Sequence, residues 1–321
     1  MPSRSEQFST RVVLSLVAAG LFVGLLSGLF GVGGGAVIVP ALVYLGLSQR
    51  EAAATSLIAI FPTALTGCVT YATTGNIDWL AAGGLTVGLV AGVQIGTYFL
   101  TKFSERFLRW AFVAFLVSII VVQSVFVPNR GGSIRLSALT ALGLVALGVA
   151  CGFLSGILGI GGGGAAIPAL CFIFGASDLA ARGISLVSMI PGTLSGAIAN
   201  LARRQAYLKT GLIIGVSAVC TVPVGAKLAS LLSPRADALL FAAWQGVLLV
   251  RSVYVARQAS STDSKEDTRT RSHLETDQKT RSHLRTDQKT KGKTDQKTRS
   301  HLRTDLKTKG KTDRKAKESG R

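Results

Sequence analysis

The residues best placed to do chemistry are two runs of glycine. "SGLFGVGGGAVIVPAL" (27–42) and "SGILGIGGGGAAIPAL" (155–170) each set bare peptide N–H groups between apolar segments and follow them with a proline. Gly31, Gly33 and Ala36 match G-x-G-x-x-A, and Gly159, Gly161 and Gly164 match G-x-G-x-x-G, with Glu51 and Asp178 about 20 residues on, as in a dinucleotide fingerprint. That fingerprint needs a short strand before the turn, whereas nineteen uncharged residues, 12–30, come first, so the nucleotide reading fails on context. Close helix packing explains glycines spaced four apart, such as Gly20, Gly24 and Gly28 or Gly84, Gly88, Gly92 and Gly96. It explains three or four adjacent glycines poorly. Such a run weakens a helix by up to about 1 kcal/mol per residue and frees N–H groups that need a partner inside a membrane. An anion can approach those amides directly, and the short helix that follows aims its positive end at the same point. Gly33, Gly34 and Gly35, with Gly161, Gly162, Gly163 and Gly164, are therefore the expected substrate contacts.

The remaining polar groups inside apolar stretches are uncharged. Thr55, Ser56, Thr63 and Thr66 surround Pro62, and Ser185, Ser188, Thr193 and Ser195 surround Pro191. Each hydroxyl has the ordinary alternative of bonding back to its own helix. Asn200 and Gln94 carry amides that want several partners. Ser56, Thr63, Ser185 and Asn200 are taken as second-tier substrate contacts. Pro40, Pro62, Pro168 and Pro191 are expected as helix-break positions, with Pro40 and Pro168 about a turn into short helices and the other two kinking long ones. The four cysteines, Cys68, Cys151, Cys171 and Cys220, stand singly in apolar stretches without metal or redox spacing. No metal, cofactor or catalytic constellation is expected, and no enzymatic activity. Charged residues are read as lying at span ends, with Glu51, Asp78 and Asp178 there and Arg182 in a loop. Proton coupling through a buried carboxylate is thus weakly supported.

The elements that carry these residues follow from the charge distribution. Between Arg11 and Arg50 stand 38 consecutive uncharged residues, and between Arg135 and Asp178 another 42; a membrane crossing takes about 20. With 48% hydrophobic residues and 37 glycines in 321 residues, the fold class is all-α: a polytopic helical membrane protein. The net charge of +19 is unevenly held, since 20 of the 35 basic and 10 of the 16 acidic residues fall in 257–321.

The chain is also written twice. An offset of 128 lays 27–42 on 155–170, and an offset of 129 lays "SLIAIFPTALTG" (56–67) on "SLVSMIPGTLSG" (185–196). The expected organisation is a short cytoplasmic N-terminus (1–10), membrane half 1 (11–128), a linker (129–136), membrane half 2 (137–256) and a basic tail (257–321). Each half should hold a long helix ending at the glycines, a short helix (about 36–47 and 164–175) and three further spans, for about 8 to 10 membrane segments in all. If the glycines turn the chain back, nine basic positions (Arg4, Arg11, Arg50, Lys102, Arg106, Arg109, Arg203, Arg204, Lys209) share the cytoplasmic side against four (Arg130, Arg135, Arg182, Arg235); a straight crossing gives seven against six. The hairpin is favoured. It makes the halves an inverted repeat with glycine-broken helices, the pattern of secondary transporters.

The duplicated "GxGGG(x)4-5P" turn, Gly31 to Pro40 and Gly159 to Pro168, together with "AAATSL" (52–57) and its partner "ARGISL" (181–186), resembles the TauE/SafE family of sulfite exporter-like and sulfonate uptake permeases. The resemblance covers about residues 10–255. It implies a secondary carrier of sulfur-containing or organic anions such as sulfite, sulfonates or sulfoacetate in the cytoplasmic membrane of a bacterium. The second copy departs in having Arg182 and Gly183 where the first has Ala53 and Ala54.

From Thr270 the chain repeats units such as "TRSHLRTDQK", too polar to bury a core and expected to be disordered. A rival reading makes this basic tail the functional part, binding anionic lipid or nucleic acid, with the body as its anchor. The favoured reading expects a small anionic substrate, membrane lipid and a coupling ion, proton or sodium, as partners, and no nucleic acid; oligomeric state is not legible. Both termini are expected in the cytoplasm.

Overall fold

The computed structural model describes residues 10–73, 75, 77–125, 132, 134, 137–233, 235–237 and 239–258. Residues 1–9, most of the linker, Arg130, Arg135 and the tail from 259 lie outside the described residues. All regular structure among those described is helical. Half 1 supplies α1 (Thr10–Phe30), α2 (Gly35–Tyr44), α3 (Gln49–Thr73), α4 (Trp79–Leu100) and α5 (Glu105–Val125). Half 2 supplies α6 (Ala138–Leu158), α7 (Gly163–Phe174), α8 (Asp178–Ala202), α9 (Leu208–Val219) and α10 (Val222–Leu231), followed by α11 (Arg235–Gln258). Six of these are long and apolar enough to cross a membrane; α9 and α10, bent by 46° at their junction, make a seventh as a pair, and α2 and α7 are short and apolar. The protein is a polytopic helical membrane protein.

The outside of the bundle is apolar. Leu80, Leu139, Phe172, Ile198, Val216 and Val250 are all more than half exposed, as lipid-facing side chains are. The inside is built on small residues. A Cβ placed on Gly88 or Gly92 of α4 would lie 2.0 or 2.2 Å from the carbonyl oxygen of Val145 or Val149 on α6. The same holds for Gly24 and Gly28 of α1 against Ala218 and Val222, at 2.1 and 2.0 Å. Only glycine allows this backbone approach, and the stripes four residues apart run parallel to their partners. The halves are thus interleaved: the first helix of each lies along the fourth element of the other.

Helix direction follows from the polar contacts. The Tyr207 N–H, just past the end of α8, bonds the Thr55 hydroxyl near the start of α3 at 3.1 Å. At the other end of α3, the Tyr71 hydroxyl donates to Gly28 O at 3.2 Å and lies beside Arg182, near the start of α8. α3 and α8, counterparts in the two halves, therefore run antiparallel. Arg50 Nη2 donates to Phe103 O at 2.6 Å, joining the starts of α3 and α5. Arg50, Lys102, Arg106 and Arg203 consequently share one end of the bundle.

The starts of α4, α6 and α8 carry side-chain caps: Asp78 accepts from Ala81 N–H, Ser137 from Thr140 N–H and Ser177 from Ala180 N–H. α2 and α7 begin on glycine, Gly34 and Gly162, with no side-chain cap. As full helix breaks the prolines need correction, though Pro40 and Pro168 do lie about a turn into the short helices. Pro40, Pro62, Pro168 and Pro191 all lie inside helices that continue on both sides. Each proline removes one N–H donor, which surrounding packing absorbs; a Cβ on Gly215 would meet the Pro62 ring at 2.5 Å. The chain is interrupted at the glycines instead.

Candidate functional site

Both glycine runs adopt the same turn. Gly31, Gly33 and Gly34 have φ of 67°, 71° and 80°, and Gly159, Gly161 and Gly162 have 70°, 78° and 89°. Three left-handed residues in four positions would cost about 1–2 kcal/mol each for any residue with a Cβ. The two turns meet inside the bundle. A Cβ on Gly35 would lie 2.5 Å from the Ile160 carbonyl carbon, and one on Gly163 would lie 3.1 Å from the Val32 Cα.

Backbone hydrogen bonding stops across each turn. It ends with Gly31 N–H to Ser27 O at 2.8 Å and resumes with Val37 N–H to Gly34 O at 2.9 Å. In the second turn it ends with Gly159 to Ser155 O at 2.8 Å and resumes with Ala165 to Gly162 O at 3.3 Å. Among the described residues, the amides between, Val32 to Ala36 and Ile160 to Gly164, donate to no carbonyl or side chain. These residues are buried. Buried N–H groups are rarely left so.

The second-tier residues divide. The Ser56 hydroxyl reaches Gly159 O at 2.6 Å and Ala53 O at 2.8 Å, bridging to the second turn. The Thr63 hydroxyl reaches Gly33 O at 3.1 Å and Ile60 O at 2.7 Å. Both hydroxyls therefore brace the turns through carbonyls, from which their amides are free to face elsewhere. Ser185 has only the Met189 sulfur, at 3.9 Å, though it stands beside Gly163. Asn200 is fully buried, its carboxamide has no partner, and it sits two residues from the end of α8. Gln94 is exposed and held by the Ser195 hydroxyl.

Two features escaped sequence reasoning. Met189 and Ile60 fill the space between the turns: the Met189 methyl would lie 2.9, 2.7 and 2.8 Å from a Cβ on Gly33, Gly161 and Gly163, and Ile60 approaches Gly33 and Gly161 equally closely. They occupy equivalent positions of the two aligned segments, which was the available signal. The second is ionic. Arg182 is no loop residue; it is 4% exposed inside α8, where Nε and Nη2 donate to Asp178 at 3.0–3.2 Å. Its guanidinium also bonds Asp237 of α11 and the Leu29 carbonyl. Two buried carboxylates thus face one guanidinium beside the first turn, where a Cβ on Gly31 would touch the Arg182 stem at 2.6 Å.

The sequence model of the family described as "Sulfite exporter TauE/SafE" matches residues 2–123 and 144–290. A probable membrane transporter protein of Methanocaldococcus jannaschii is 26% identical over 255 residues, covering 73% of this chain and 92% of the relative. The probable membrane transporter protein YjnA of Bacillus subtilis is 27% identical over 237 residues, 69% and 92% of the two chains. One from Haemophilus influenzae is 30% identical over 186 residues, 56% and 66%.

Proposed function

The chain belongs to the sulfite exporter TauE/SafE family, and from that premise we propose that it is a secondary carrier of small anions, sulfur-containing or organic, of the sulfite, sulfonate and sulfoacetate class. The carrying observation is the meeting of two glycine turns whose buried amides, Val32 to Ala36 and Ile160 to Gly164, donate to nothing else among the described residues. Oxyanions are the ligands such donors suit, because successive N–H groups and two helix starts concentrate positive potential without the desolvation penalty of a cation. Gly33, Gly34, Gly35, Gly161, Gly162, Gly163 and Gly164 contact the anion; Ser56 and Thr63 fix the turns; Ser185 offers its weakly held hydroxyl.

The antiparallel course of α3 and α8 and the crossed pairing of α1 with α9–α10 and of α4 with α6 support an inverted repeat. Alternating access then means rocking of the interleaved halves about the turns. Met189 and Ile60 lie where the anion would sit, so loading requires the thioether to move, an easy change for an unbranched side chain. Transport draws on a proton or sodium gradient, in a cytoplasmic membrane with both termini inside. The test is flux in proteoliposomes, with sulfite, sulfonates and simple carboxylates competed against one another. Flux of none of them under either gradient would overturn the proposal, and loss of flux on removing 257–321 would favour the tail as the working part.

A further inference from the structure

The repeat allows the polar cluster around Arg182 to be compared with what stands at the equivalent place in the other half. At the 129-residue offset, Asp178, Arg182 and Asn200 of α8 correspond to Gln49, Ala53 and Tyr71 of α3. The backbone equivalence holds in space: Gly31 packs against Arg182, and Gly159 packs against Ala53, its Cβ position 2.5 Å from the Ala53 Cα. At the first turn, Tyr71 and Arg182 are saturated with bonds to Gly28, Leu29, Asp178 and Asp237. At the second, the positions hold two carboxamides and an alanine.

These carboxamides are not satisfied. Asn200 is 0% exposed and neither its Nδ2 nor its Oδ1 has a hydrogen-bond partner; Gln49 is 7% exposed and its Nε2 has none. They are close neighbours by the packing of α3 on α8. A Cβ on Gly196 would meet Leu57 at 2.7 Å, so one turn further along this antiparallel pair Asn200 comes level with Ala53, and Gln49 lies one turn beyond Ala53 on the same face of α3. Gln205 closes the group: its N–H bonds Asn200 O at 3.0 Å, and its buried Oε1 is likewise unpartnered. At the positions equivalent by the repeat, Asp178, Arg182 and Tyr71, the side chains are instead tied together around an ion pair.

We propose that Gln49 and Asn200 form a second contact point for the transported oxyanion, on the end of the bundle that carries Arg50, Lys102 and Arg203, where their amide N–H groups donate to sulfonate, sulfite or carboxylate oxygens. This rests on the reading of the chain as an anion carrier and adds a specificity-determining pair to it. Carboxamides suit a passing ligand because they donate without fixing a charge that would hold the anion too tightly to release. A site whose N–H groups lose their acceptor also discriminates against solutes that lack oxygens. The two carbonyls, Asn200 Oδ1 and Gln49 Oε1, can accept from a substrate amine or hydroxyl.

The test uses the full chain in proteoliposomes with sulfite, methanesulfonate and acetate as probes, and Asn200→Leu and Gln49→Leu as variants. Replacing a buried, unpartnered amide by an apolar group of similar volume is neutral or stabilising. The expected result is therefore an unchanged or raised thermal unfolding midpoint together with a KM raised about tenfold. The rise should appear only for anion presented from the Lys102 and Arg203 side. A lowered midpoint, or failure to fold, would mean that the amides serve the structure and would overturn the inference. So would an unchanged KM, the result expected if they hold only water. If the unmodified protein carries none of the three probes, the anion-carrier reading itself falls; if it carries one and both variants carry it equally well, only the Gln49–Asn200 contact falls.

Discussion

At the first glycine turn, Gly31 lies against the aliphatic stem of Arg182, and two aspartates and a tyrosine gather on its guanidinium; at the second, Gly159 lies against Ala53, and the gathered residues are carboxamides. The left-handed glycines of the two turns match closely in φ: 67° and 70°, 71° and 78°, 80° and 89°. Conformation is thus held constant across the two turns, while the flanks diverge in charge. A carrier with two chemically different ends can bind and release one solute unequally on the two sides, which a perfectly symmetric pair of turns could not.

The comparison requires that the starts of α3 and α5 and the end of α8 lie together. Cysteines placed at Lys102 and Arg203, with Cys220 replaced by serine, should react with a membrane-impermeant thiol reagent from one side only, and from the same side. Labelling from opposite sides would destroy the equivalence of the turns. The next largest effect is expected at the ion cluster. Arg182→Leu strands two buried carboxylates and should cost about 3–5 kcal/mol, read as a fall in the unfolding midpoint. Ala53→Leu at the equivalent place only overpacks its site, at about 1–3 kcal/mol. Equal losses would mean that the charges contribute nothing special at their end.

The turns themselves give the third contrast. Gly34→Leu and Gly162→Leu force a side chain into left-handed backbone at about 1–2 kcal/mol each, and both should fold with flux largely lost. Normal flux in both would remove the turns from the transport path. The smallest effect compares equivalent hydroxyls. Ser56→Ala leaves Gly159 O without its 2.6 Å donor and should cost about 1 kcal/mol. Ser185→Ala loses only a long contact to sulfur and should leave the unfolding midpoint unchanged while altering KM.

Much of this architecture was legible beforehand, for physical reasons that differ by residue. Uncharged runs and repeated glycines report directly on lipid exposure and backbone conformation, so the long helices, the short helices within one or two residues of their observed starts, and the two turns were all readable. The four-spaced glycines also reported their packing, since a stripe without side chains has little other use. The prolines were legible only as positions: Pro40, Pro62, Pro168 and Pro191 all fall inside helices, and the chain breaks at the glycines. Arg182 misled most. A charge close to a helix start reads as a surface residue, and its partner Asp237 is 55 positions away, beyond any local pattern. The only clue was that Ala53 and Arg182 fail to match across an otherwise faithful repeat. Met189 was similarly concealed, being an ordinary apolar residue until the turns are seen to close around it.

The crossed helix pairing also sets the order of events during synthesis. The Thr221 hydroxyl bonds the Leu21 carbonyl from 200 positions along the chain, and at about 5–20 residues per second the ribosome needs roughly 10–40 s to supply that partner. Through this interval α1 has already left the ribosome with its glycine stripe facing lipid or a temporary escort. A nascent chain truncated before residue 208 would lack the helices on which the α1 glycine stripe packs.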